Sequence, residues 1–150
     1  MASEFTRSRS ISDLVADSSQ FATAAPSSEL QPLVFQRLFG PVVQPQQWEP
    51  FREGIEIARI YSTTAGGPSA ALLRYRPGAS LERHRHAGYE HILILSGSQL
   101  DDGGEHLAGT LLVNPPGTSH AVRSIEGCVV LAIWEKPPVF ETAADEASEL

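Results

Sequence analysis

Apolar positions in the middle of the chain fall into short runs, some alternating with polar residues and some continuous, each closed by Gly, Pro, Asp or Ser. This pattern predicts strands over Gly54 to Tyr61, Ala70 to Arg76, Glu90 to Ser98, Thr110 to Val113 and Cys128 to Trp134. No long helical periodicity competes with them, so the expected fold class is all-β, a sandwich or barrel of many short strands. The run Ile92-Leu93-Ile94-Leu95 is apolar on both faces of one strand. One face fills the core. Leu93 and Leu95 on the other need cover from an opposing segment, the N-terminal arm or a second subunit, and a homodimer is the expected state.

Residues 1–31 differ in character, being rich in Ser, Ala and Thr, with one short apolar pattern at Ile11, Leu14, Val15 and Phe21. That spacing allows a single amphipathic helix capped by Ser10 or Ser12, on an arm expected to be flexible or loosely docked. The folded domain is expected over 32–140, followed by an acidic tail over 141–150. At 150 residues the chain has a one-domain length.

Charge and cysteine usage narrow the classes of function. The net charge is -7 and the basic residues are scattered, so no nucleic-acid footprint is present. No apolar run approaches the roughly 20 residues of a membrane span. No uninterrupted hydrophobic stretch follows Arg7 and Arg9, which argues against a secretory signal, and the single cysteine, Cys128, fits a reducing compartment. The expected location is cytoplasmic, with no membrane or nucleic-acid partner.

Candidate chemistry concentrates in two segments. In GASLERHRHAGYEHILILSG, from Gly78 to Gly97, His84 and His86 lie two apart and share one face of a strand, while Arg85 points the other way. After a turn at Ala87-Gly88, Glu90 can face the same interior. In GTLLVNPPGTSH, from Gly109 to His120, a strand and a Pro-Gly turn lead to a further histidine. Three histidines and a carboxylate suit Fe(II), Mn(II), Ni(II), Cu(II) or Zn(II).

These segments resemble the paired motifs of the cupin superfamily, the RmlC-like jelly rolls. Gly78, His84, His86, Glu90 and Gly97 match every position of the first motif, and Gly109, Pro115, Gly117 and His120 match the second. Ser124 stands where asparagine is usual, which bears on a turn contact and not on the ligands. Within the superfamily the chain is most similar to ChrR-like single-domain cupins, through LLRYRPGA at Leu72 to Ala79, the turn Asp101-Asp102-Gly103-Gly104, NPPGTSH, and Gly127-Cys128. The resemblance covers roughly Phe35 to Pro137. It implies a double-stranded β-helix with a divalent ion (Fe, Mn, Ni or Zn) held by His84, His86, Glu90 and His120.

Two functions follow from the resemblance. One is a metal-dependent dioxygenase-type enzyme, or a related lyase, on a small enolisable or carboxylated compound, with Glu90 as a ligand or, when released, the catalytic base. The other is a non-enzymatic ChrR-like module whose metal site senses a ligand. A full anti-sigma role would need a zinc-binding N-terminal module, and residues 1–31 hold no clustered His or Cys.

Other residues receive plainer readings. His91 should face away from Glu90 by strand alternation, and His106, just past the acidic turn, should be exposed. Tyr89 reads as packing near the cavity mouth, Cys128 as a buried apolar side chain, and Trp48 and Trp134 as packing residues. Arg74 and Arg76 share one face and would bind a carboxylate only if that face lined the cavity.

Overall fold

The computed structural model describes residues 32, 34, 47–63 and 65–141. The expected arm over 1–31 with its helix, and all of the tail beyond Glu141, lie outside the described residues. The rest forms β1 (Glu49–Arg52), β2 (Ile55–Ser62), β3 (Ser69–Tyr75), β4 (Ser80–Arg85), β5 (Glu90–Asp101), β6 (Gly104–Leu107), β7 (Leu111–Asn114), β8 (Ser119–Arg123), β9 (Cys128–Trp134) and β10 (Val139–Phe140). No helix occurs among the described residues. The all-β jelly-roll expectation therefore holds.

Every pairing is antiparallel, in the order β1-β2-β3-β9-β5-β8-β4-β10, with β6 and β7 also on β5. The first half of β5 belongs to one sheet, beside β9 and β7, and its second half to the other, beside β6 and β8. Side chains alternate faces, so Ile55, Ile57, Leu73, Ile92, Ile94, Val122, Val130 and Ala132 form one core cluster. Burial of each large apolar side chain contributes about 1.5–3 kcal/mol. The site described below lies within this layer.

The change of sheet along β5 needs a local break, and the register shifts between Ile94 and Ser96. Gly97 follows with φ 71°, and a Cβ there would overlap the Gly127 carbonyl oxygen and crowd Cys128 Cα. Both neighbours are backbone, so nothing cheap can yield. We expect Gly97→Ala to lower unfolding free energy by about 2–4 kcal/mol in a urea melt. A wild-type midpoint would refute this account of the bend.

Leu95 is buried, with Leu93 half-buried, in a second cluster on the outer face of the first sheet, with Ala58, Ile60, Ala70, Leu72, Val129, Trp48 and Leu131. Farther along that face Val113, Leu111 and Ile133 are exposed.

Candidate metal centre

Strand register brings the four expected ligands together. His84 on β4 lies opposite His120 on β8, just past a bulge between Leu81 and His84. His86 follows β4, and its backbone is tied to Thr118 and Gly117 in the turn before β8. Glu90 opens β5, with Asn114 on β7 and Trp134 on β9 as its register partners. The four residues are at most 6% exposed, and one ligand atom from each lies within 4.8 Å of the others. Ionisable groups so buried need pairing or a metal.

Each imidazole has its Nδ1 engaged. His84 Nδ1 is 3.0 Å from the Glu82 carbonyl oxygen and His120 Nδ1 is 3.3 Å from Asp101 Oδ2, acceptors that require an N–H donor. Thr118 donates its hydroxyl to the Pro115 carbonyl, leaving its oxygen to accept from His86 Nδ1 at 2.8 Å. The network thus assigns the Nδ1–H tautomer to all three. Each Nε2 turns a lone pair inward.

That arrangement suits a cation. His84 Nε2 and His120 Nε2 are 3.2 Å apart, and two facing lone pairs at that distance repel. His86 Nε2 is 3.0 Å from Glu90 Oε2, yet outside hydrogen-bond geometry, so it is a buried nitrogen with no hydrogen-bond partner. Nitrogens about 2.1 Å from one ion stand roughly 3.0–3.4 Å apart for octahedral to tetrahedral angles. The observed spacing and donor set fit a divalent ion.

Electrostatics agree. Burial pushes the His84 pKa down, keeping it neutral. For His120 burial acts downward as well, but hydrogen bonds and charge from Glu90 and Asp101 outweigh it and raise the pKa. Of His84 and His120 in the metal-free protein, His120 is thus the one that takes a proton first as pH falls. Burial alone would raise the Glu90 pKa, yet the adjoining His120 and His86 imidazoles and the hydrogen bond from Asn114 hold it well below the usual carboxylate range.

Glu90 is gripped at both oxygens. Trp134 Nε1 donates to Oε1 at 2.7 Å and Asn114 Nδ2 to Oε2 at 2.9 Å. Trp134 packs in the core as expected, but the hydrogen bond was not foreseen, and neither was any role for Asn114, Thr118 or Asp101. Only the strand register could have exposed Trp134 and Asn114, since both stand directly across from Glu90. His106 was expected to be exposed. It is half-buried, with Nε2 2.9 Å from Asp101 Oδ1, because the β5–β6 hairpin folds it back onto that carboxylate.

Around the ligands lies a cavity with about 20 Å³ of room for water-sized spheres, lined by His84, Glu90, His120, Phe51, Leu73, Tyr75, Leu81, Ile92, Gln99, Val122, Trp134, Pro138 and Phe140. Among the described residues its wall has no Arg or Lys. Arg74 instead pairs with Glu56 and stacks on Trp48, while Arg76 borders an outer groove. His91 points away from Glu90, as alternation requires. Ser124 is buried and donates to the Ser98 carbonyl, while its own carbonyl accepts from Gly78 N. A serine therefore serves the turn contact at this place. Cys128 is buried, which raises its pKa to about 11, as suits a packing residue.

Similar proteins place this geometry in context. The structure resembles a cupin-like protein of unknown function from Ralstonia eutropha at 22% identity, with a TM-score of 0.56, over 61% of this chain and 60% of that one. The anti-sigma factor ChrR of Rhodobacter sphaeroides, solved with SigE, matches at 24% identity and TM-score 0.55, over 61% of this chain and 51% of that one. This chain therefore spans less than two thirds of either. An acetylacetone dioxygenase from Acinetobacter johnsonii matches at 16% identity and TM-score 0.62, over 83% and 86%. At these identities the likeness shows the fold. No curated protein matches the sequence. Residues 42–136 match the model of the ChrR cupin-like domain, and the chain belongs to that family of cupins.

Proposed function

We propose that the chain is a metal-dependent enzyme of the dioxygenase type, acting on a small, neutral, enolisable compound. The observation that carries this reading is the cavity, where His84, Glu90 and His120 share a wall with Phe51, Leu73, Ile92, Val122 and Phe140 and no Arg or Lys lines it among the described residues. Among the described residues a carboxylated substrate would find no Arg or Lys there to pair with, so the neutral compound is favoured. The acetylacetone dioxygenase fold neighbour supports the same class.

His84, His86, Glu90 and His120 would hold the ion, which could be Fe, Mn, Ni or Zn by donor type. The ion would supply Lewis-acid polarisation of a bound keto or enol oxygen. The chain's own residues orient and exclude water. Apolar walls favour a desolvated substrate, and Gln99 and Tyr75 offer the neutral polar groups. Glu90 is the one carboxylate in the lining; its low pKa suits a ligand, and only on release from Trp134 and Asn114 would it serve as a base. With Fe(II) loaded, the protein is expected to consume oxygen with a panel of β-diketones and hydroxyketones, and His86→Ala is expected not to. Silence across the panel with verified iron occupancy would overturn the enzyme reading.

One observation favours the second reading, a ChrR-like sensing module. The void of about 20 Å³ accommodates little more than a water, so Phe140 or its neighbours must move before any diketone enters. The partner would then be a protein contacted according to site occupancy.

A cytoplasmic location belongs to either reading, supported by the lone buried Cys128. No helix among the described residues is long and apolar enough to cross a membrane. Homodimerisation is supported by the exposed Leu111, Val113 and Ile133 beside the outer apolar cluster. Sedimentation of a species of twice 16.2 kDa would bear it out, and a monomer at micromolar concentration would end it.

A further inference from the structure

We propose that Asp101 is a positioning residue of the metal centre, holding His120 in the tautomer that ligates, with His106 clamping the carboxylate. The inference rests on the metal-binding reading above. Asp101 closes β5 at the hairpin, opposite Gly104. Its Oδ1 accepts from Gly103 N at 2.7 Å and from His106 Nε2 at 2.9 Å. With two donors on one oxygen the carboxylate is held from rotating, and Oδ2 stays 3.3 Å from His120 Nδ1.

The other two imidazoles lean on neutral acceptors, the Glu82 carbonyl and the Thr118 hydroxyl. His120 alone leans on an anion. At 3.3 Å the contact is long for an N–H···O bond, so its effect is mainly charge and orientation. An anion behind the N–H raises the basicity of the opposite nitrogen, making it a better donor to a cation, and disfavours the neutral tautomer that carries its proton there. Asp101 thus distinguishes His120 among the three.

The alternative is that Asp101 only shapes the hairpin through Gly103. Asp101→Asn separates the two ideas, because its amide oxygen can still accept from Gly103 N while its NH2 is turned toward His120 Nδ1. Two donors cannot face each other, so His120 must move its proton to Nε2, the nitrogen needed for the ion.

The experiment uses the full chain in two forms. Long-range 1H–15N spectra of the metal-free protein in alkaline buffer read the His120 tautomer, and competition against a chromophoric chelator reads Ni(II) affinity. Asp101→Asn is expected to shift His120 to Nε2–H and to weaken Ni(II) binding about 10- to 100-fold. His106→Ala, on the half-buried hairpin, is expected to keep the tautomer and weaken binding by a smaller factor, and it stands as the test if Asp101→Asn does not fold. An unchanged His120 tautomer in Asp101→Asn, or affinities within twofold of wild type in both variants, would overturn the proposal. Wild-type protein that binds no nickel would instead remove the metal reading, and the spectra would still decide whether Asp101 sets the tautomer.

Discussion

Supplying Mn(II), Fe(II), Ni(II) or Zn(II) to metal-free protein at about a hundred times the dissociation constant is expected to raise its melting temperature by about 10 °C or more. Binding to the folded state alone at that ratio contributes about 2.7 kcal/mol. For a domain near 100 residues, each kcal/mol moves the midpoint by roughly 4–8 °C. Three converging Nε2 lone pairs and an ionised carboxylate are the source, since the unfolded chain does not gather them. An unchanged melt with the ion shown to be bound would make the centre marginal.

The same shift should depend on pH with a definite sign. In the metal-free protein the raised pKa of His120 gives stability that is fully present below about 6.5 and lost as pH rises through the raised value. His84, with its lowered pKa, acts the other way: its contribution is present above about 6.5 and is lost as pH falls from there through the lowered folded-state value. The ion displaces the proton from His120, so affinity declines as pH falls, beginning above 6.5, by up to about tenfold per pH unit for each proton released. The melting shift should therefore be larger in mildly alkaline buffer than in mildly acidic buffer. A larger shift on the acidic side would contradict the assignment of the proton to His120.

Glu90→Gln is expected to weaken divalent-ion binding by about a hundredfold or more and to destabilise the metal-free protein by about 1–3 kcal/mol. The substitution preserves volume but removes the one anion among the described residues that touches all three imidazoles. It also sets an amide nitrogen against one of two donors, Trp134 Nε1 or Asn114 Nδ2, because Glu90 now accepts from both. Calorimetric titration and a denaturant melt on the same preparation would read the two effects separately. Affinity close to wild type would mean that Glu90 is not a ligand.

Much of this candidate centre was legible because its four residues sit at fixed motif spacings, and strand alternation alone predicts that His84 and His86 face together. The apolar strands β2, β3, β5, β7 and β9 were legible for the same reason, with bounds shifted by up to three residues. β4 and β8 were harder to read from hydropathy, because SLERHR and SHAVR turn histidines inward where a core strand would turn Val or Ile. β1, β6 and β10 are short and carry mostly polar or exposed residues. The supporting residues were hidden for another reason. Asn114, Trp134 and Asp101 lie 24, 44 and 19 positions from the ligands they touch, and only the pairing of β5 and β8 with their neighbours brings them near.

The indole that grips Glu90 also gives the protein a built-in optical gauge. The chain has two tryptophans; Trp48 sits under Arg74 outside the barrel, whereas Trp134 is joined to the ligand carboxylate by one hydrogen bond. Open-shell ions such as Fe(II), Ni(II) or Cu(II) quench emission from an indole this close, while closed-shell Zn(II) leaves it bright and alters only its polarity. Light from a single side chain could thus follow, without any label, both the filling of the centre and the electronic class of what fills it.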